Sequence, residues 1–360
     1  MHNENIVSSR SYRLTSPGKF EEVLLQHRVK NNQVVVRPSM ASICHADIRY
    51  YSGQRRKEAL DKKLPMALFH EGIGFVQGLT NLSFDEGERV VIVPNIPARR
   101  LMPDDEHSPE KQNVMDNYLP DSLFLGSGYD GISQQYMVLP EENVVVVPSN
   151  IPDEIAVLTE LTSVSLHAVN HVSGFLSRGK VAVFGDGPVG YLTAAILHHI
   201  YGIPKKNLIV FGTTDERLAY FDFATTYFVQ NFNFRKEEDV VAVFECTGGP
   251  FSKNAINQAI DLIEPQGKIT LMGVSEEYVP LNTRDILEKG LSVYGSSRST
   301  EEEFKTLMKA FQNKEFQHTL KKLVPEKNEI ITTAIDLKKA MDITIKRKDW
   351  KKTFLSFEWD

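Results

Sequence analysis

Cysteine is almost absent from this chain. Two cysteines in 360 residues cannot build the disulfide framework of a small secreted domain. The N-terminal MHNENIVSSR lacks the apolar core of a signal peptide, and the apolar runs break off well before the ~20 residues that span a bilayer. A reducing, cytoplasmic setting with no membrane partner is the expectation. A basic excess is missing too: 41 Lys and Arg against 47 Asp and Glu leave a formal charge of -6, which gives no footprint for nucleic acid. Two short basic runs, RRKEALDKK (55–63) and KRKDWKK (346–352), read most simply as solvated helix faces or chain ends. Internal repeats and low-complexity segments are absent as well.

What is present falls into two grammars. At this length two domains are the prior. From about 20 to 150 the chain is β-rich, with short runs such as QVVVRPS, ERVVIVP and ENVVVVP separated by Gly, Pro and Asp or Asn. The acidic stretch RRLMPDDEHSPEKQNVMDN (99–117) reads as a loop. From about 152 strands alternate with helices: KVAVF, a glycine turn and a helix, then NLIVF with its own turn and helix, then VVAVFECTGG, GKITLMGVS and LSVYGSS. That alternation implies an α/β fold with a doubly wound parallel sheet covered on both faces. The expected division is a β-rich domain over 1–151, completed by 297–360, and a dinucleotide-binding domain over 152–296.

GDGPVG places Gly185, Gly187 and Gly190, with Pro188 and Val189 between them, after a strand and at the mouth of a helix. In that context the glycines allow a tight turn, close approach of a pyrophosphate and tight helix packing, while the helix N-terminus favours the anion. The end of the second strand decides between nicotinamides, since an NAD site places an acid there for the ribose 2′-hydroxyl. Here the chain runs Gly212, Thr213, Thr214, with Arg217 close behind. Two hydroxyls and a guanidinium suit a 2′-phosphate, so NADP(H) is expected, and Gly212→Asp should reverse the preference. The competing reading makes Asp215 the ribose acid.

Cys44 lies in SICHADIRYYSG, His70 and Glu71 in FHEG, and Glu160 in TELTSVSLHAV. Each alone is better read as a buried thiol, a satisfied core histidine or an acid in a helix's first turn. Together, beside a nucleotide fold, a thiolate, an imidazole and a carboxylate make a catalytic zinc set that leaves a position for water or substrate.

Across nearly its whole length the chain resembles the zinc-dependent medium-chain dehydrogenases, carrying SICHADIRYYSG, FHEG, DEGERVVIVP, GDGPVG, FECTGG and LMGVS in that family's order. The resemblance implies a GroES-like β domain, a Rossmann domain and an active site in the cleft between them. It implies Cys44, His70 and Glu160 as zinc ligands, in the manner of the polyol branch such as sorbitol dehydrogenase. Glu71 would be an alternating or water-mediated ligand, and Asp47 would orient His70. Two departures matter. Residues 94–130 contain no cysteine, so one catalytic zinc and no structural zinc is expected. The hydroxyl residue that usually starts the proton relay is Ala46 here, leaving Glu71 or Tyr51 to move the proton.

The segments HADIRYYSG, LPMALFHEG, TELTSVSLHAV, GDGPVGYLTA, VFGTTDERL and LEKGLSVYGSSRS resemble, more closely, the bacterial ribulose-5-phosphate reductases. That resemblance implies NADPH-dependent, zinc-assisted reduction of D-ribulose 5-phosphate to D-ribitol 5-phosphate, the precursor of CDP-ribitol for teichoic acid or capsule. It also suggests a homodimer and a ribitol-5-phosphate cytidylyltransferase as metabolic partner. Arg298 and Arg49 are the first candidates for the substrate phosphate, followed by Arg55 and Arg56. The alternatives are an NAD-dependent sorbitol- or xylitol-type dehydrogenase and a non-catalytic NADP-binding subunit.

Overall fold

The computed structural model describes residues 5–78, 83–101, 114–235, 239–347 and 349–359. Most of the 99–117 loop therefore lies outside the described residues. Two compact units divide the chain: 1–160 with 299–313 and 323–360, and 161–298 with 314–322.

The first unit is built on strands whose composition alternates or is wholly apolar. Asn5–Ser16 and Lys19–Val29 form an antiparallel hairpin turned at Gly18, whose φ of +76° suits glycine. A seven-stranded sheet runs Val144–Val146, Arg89–Ile92, Glu71–Gln77, Gln33–Ser42, Phe354–Phe357 and Glu329–Ile331, with Met137–Pro140 also paired to Gln33–Ser42. Its register sets the functional geometry. Ser42 faces Glu71 on one side and Phe354 on the other, so residues 44, 71 and 352 come to the same end of three adjacent strands. The Ile43 amide donates to the Thr353 carbonyl at 3.0 Å and locks that end.

The second unit is a six-stranded, all-parallel sheet in the order Thr225–Phe228, Leu208–Gly212, Lys180–Phe184, Val240–Glu245, Lys268–Leu271 and Ser292–Gly295. In chain order this is 3-2-1-4-5-6, the dinucleotide-binding arrangement, whose crevice opens where the first strand meets the fourth. The central strands are buried along almost their full length, as a sheet covered on both faces requires. Helix Lys314–Leu320 joins this unit: the Tyr191 hydroxyl donates to the Thr319 carbonyl at 3.0 Å, and His199 stacks on Phe316. Among the described residues no helix is long and apolar enough to cross a membrane.

Candidate active site

Cys44, in extended geometry two residues beyond the strand Gln33–Ser42, caps the helix His45–Tyr51. The cap is held by Asp47, fully buried, whose Oδ2 accepts the Cys44 amide at 2.8 Å while Oδ1 accepts the Phe69 amide at 3.2 Å. One carboxylate thereby ties the Cys44 corner to the residue preceding His70. Phe69 has φ +73°, a costly conformation for a bulky residue. It is braced by a glycine loop: a side chain at Gly131 would come within 2.2 Å of the Phe69 carbonyl oxygen, so only glycine fits against this turn. His70 Nδ1 lies 3.9 Å from Asp47 Oδ1, too far for a hydrogen bond. Asp47 thus fixes the backbone on either side of the cluster instead of bonding the imidazole as the resemblance implies.

The ligating atoms of Cys44, His70 and Glu71 lie within 4.8 Å of one another. Glu160, in the first turn of the helix Thr159–Asn170, is 5 % exposed and feels the charges of both His70 and Glu71. Lys352 completes the group. Its Nζ lies 3.0 and 2.8 Å from the two Glu71 oxygens, with both side chains buried. The KRKDWKK run is therefore not wholly a solvated chain end.

The electrostatics are those of a cluster short of positive charge. Burial pushes the Glu160 carboxyl up to about 7, with Glu71 and Asp47 adding to the rise and His70 and Lys352 opposing it. Burial and then Glu71 push the Cys44 thiol up. Burial works to lower the His70 pKa, but Asp47, Cys44 and Glu160 hold it well above the ordinary value. Three buried carboxylates and a thiol face one ammonium and one imidazole, and His70 Nδ1 is buried without a hydrogen-bond partner. A divalent cation would supply the missing charge and use the thiolate, imidazole and carboxylate donors together. The residues fit zinc.

In the second unit, Gly185 (φ +128°) turns the chain out of Lys180–Phe184, and Gly187 caps the helix Pro188–His199, which opens with Pro188 and Val189. A side chain at Gly190 would lie 2.0 Å from the Gly185 carbonyl oxygen, whereas one at Gly187 would meet open space. A cavity of about 470 Å³ begins at this turn, lined among others by Gly187, Gly212, Thr213, Arg217 and Thr247. Asp186 overturns part of the sequence reading. The register sets Phe184 beside Phe211, which carries Asp186 to Thr213, where its Oδ2 accepts the amides of Thr213 at 2.7 Å and Thr214 at 3.0 Å. A carboxylate does stand at the end of the second strand, supplied by the glycine turn, with Arg217 Nη1 3.6 Å from it. Asp215 is exposed at the start of its own short helix.

The remaining residues singled out from sequence are distributed differently. The Tyr51 hydroxyl donates to Asp342 at 2.6 Å, and burial with that carboxylate pushes its pKa up to about 12. A phenol so engaged is a poor acid, and it leaves the list of proton donors. Arg49 sits half-buried on the helix His45–Tyr51, next to Arg55. Arg298 adopts φ +61°, and burial lowers the pKa of its guanidinium. Lys352 and Asp186 were missed because strand register, not local pattern, places them.

Residues 30–149 match the alcohol dehydrogenase GroES-like domain and residues 188–313 the zinc-binding dehydrogenase domain. The chain belongs to the zinc-binding dehydrogenase family. Within it, the chain is 38 % identical over 352 residues to ribulose-5-phosphate reductase 1 of Staphylococcus aureus, covering 96 % of this chain and 98 % of that protein. It is 39 % identical to the ribulose-5-phosphate reductase of Bacillus spizizenii, over 82 % of this chain and 84 % of that one. The crystal structure of S. aureus TarJ in complex with NADPH superposes with a TM-score of 0.81 at 33 % identity, covering 98 % of this chain and all of that one.

Proposed function

We propose that this chain catalyses the NADPH-dependent, zinc-assisted reduction of D-ribulose 5-phosphate to D-ribitol 5-phosphate. The observation that carries the reading is the charge-deficient cluster of half-buried Cys44 with buried His70 and Glu71, in a chain 36–39 % identical to four ribulose-5-phosphate reductases. One zinc would be held by Cys44, His70 and Glu160, with Glu71 as the alternate ligand. When bound, zinc supplies Lewis acidity toward the C2 carbonyl and NADPH supplies the hydride.

The chain's own residues set the stage for that chemistry. Asp47 pins the two backbone corners that present Cys44 and His70. Lys352 holds the Glu71 carboxylate. With Ala46 in the relay position and Tyr51 bound to Asp342, Glu71 is the group we assign to moving the proton for the C2 oxygen. Residues 152–296 would bind NADPH through Gly185, Gly187, Gly190, Gly212, Thr213, Thr214 and Arg217. Residues 1–151 with 297–360, together with Glu160, would carry the metal, and Arg49 and Arg298 would contact substrate. Asp186 is the observation that favours NADH instead, since its carboxylate stands where a ribose hydroxyl could donate to it. The resemblance extends the proposal to a homodimer whose product goes to a ribitol-5-phosphate cytidylyltransferase.

The test is steady-state kinetics of the zinc-loaded protein on ribulose 5-phosphate, D-ribulose, sorbitol and xylitol with both nicotinamides. Ribulose 5-phosphate with NADPH should give the highest kcat/KM. Faster turnover of an unphosphorylated polyol with NAD would replace the proposal with the sorbitol-type reading.

A further inference from the structure

The run RRKEALDKK is not an evenly solvated face. Arg55 and Lys63 both converge on one aromatic ring, that of Tyr50, which is 2 % exposed. The Arg55 Cζ lies 4.7 Å from the ring centroid and the Lys63 Nζ 5.7 Å from it. The Lys63 ammonium donates to the Tyr50 hydroxyl at 3.0 Å and to Ser127 Oγ at 3.3 Å, and those two hydroxyls lie 3.0 Å apart. The nearby acids are engaged elsewhere: Asp61 with Lys57 and Asp130 with Arg13. Among the described residues neither Arg55 nor Lys63 makes an ion pair, and Arg55 Nε is buried with no hydrogen-bond partner.

Two cations gathered without a counter-ion repel each other, and the ring's negative face offsets only part of that cost. A multiply charged anion would offset it in full and take up the vacant N–H donor, through the charge-assisted, fork-like contacts at which arginine excels. Tyr50 lies six residues after Cys44 along one short helix, about 9 Å of axial rise. That distance is on the scale of a five-carbon sugar phosphate, in which phosphorus lies five bonds of roughly 1.5 Å beyond C2.

We infer that Arg55 and Lys63, gathered on Tyr50 and Ser127, form the site that takes the phosphate of the substrate. The inference rests on the proposed reduction of a sugar phosphate and deepens it: these residues separate a phosphorylated ketose from the free one. Arg49, on the helix of Tyr50 and next to Arg55, borders the same site.

The experiment compares the parent with Arg55→Ala, Arg55→Lys and Lys63→Met as zinc-loaded, full-length proteins. The ratio of kcat/KM for ribulose 5-phosphate to that for D-ribulose should fall about 10- to 150-fold in Arg55→Ala and in Lys63→Met, with partial rescue in Arg55→Lys. A ratio within twofold of the parent in both neutral variants overturns the inference. Binding of inorganic phosphate, followed by calorimetry, keeps the two claims separable. If the parent fails to reduce ribulose 5-phosphate yet binds phosphate, and both neutral variants lose that binding, the site stands and the assigned reaction falls. If the parent does not bind phosphate, or the variants bind it as well as the parent, the site falls. Urea denaturation of each variant excludes misfolding as the cause.

Discussion

Lys352→Met keeps the length of the side chain and deletes the charge that faces Glu71 at 2.8 and 3.0 Å in a buried setting. The carboxylate left behind is buried without its partner, and breaking a buried pair by removing one side costs about 3–5 kcal/mol. An exposed pair would cost only about 0–1 kcal/mol, so the size of the loss reports the burial. Urea denaturation of chelator-treated protein at pH 7 measures it. The double variant Lys352→Met/Glu71→Gln should recover most of the loss, because no charge is then left unpaired. A deficit below about 1 kcal/mol, or a double variant no better than the single one, would refute the reasoning.

The purified protein should contain about one zinc per chain by elemental analysis, and Cys44→Ser should lose the metal and turnover while keeping its fold; two zincs per chain would contradict the ligand inventory. NADPH should exceed NADH in kcat/KM, and Arg217→Ala should lose about tenfold or more with NADPH but little with NADH, whereas equal losses with both would move selectivity elsewhere. Gly212→Asp should not act as the cofactor switch the sequence suggests, because its Cβ would lie 2.7 Å from both Asp186 Cβ and a Leu218 methyl. It should cost about 1–3 kcal/mol and weaken both nicotinamides; a stable variant that prefers NADH would sink that view. His199, whose pKa is depressed to about 4 by burial and then by His198, should make stability fall as pH drops from about 6.5 toward 4. His199→Gln should flatten the urea-denaturation slope in that window, and an unchanged slope would show the group to be inconsequential.

The clustering of Cys44, His70 and Glu71 and the glycine turn were legible because each sits in a local pattern with a chemical rationale: a cysteine entering a helix, a His-Glu pair at a strand start, glycines between a strand and a helix. What escaped was placed by pairing between distant segments. Lys352 reaches Glu71 across 281 residues of sequence, because Phe354–Phe357 lies against Gln33–Ser42. Asp186 reaches Thr213 only through the parallel register of two strands. Tyr51 illustrates the opposite error: it was a relay candidate once Ala46 left that position empty, but two helical turns beyond Cys44 its hydroxyl is aimed at Asp342.

The place of Phe354–Phe357 inside the seven-stranded sheet, between Gln33–Ser42 and Glu329–Ile331, has a consequence for synthesis. At about 5–20 residues per second, the 281 residues separating Glu71 from Lys352 take roughly 14–56 s to translate. Throughout that interval the Gln33–Ser42 edge lacks one of its neighbours, Cys44 is a thiol without its finished surroundings, and Glu71 has no ammonium beside it. A chain stalled before residue 352 therefore presents an open strand edge that chaperones must shield.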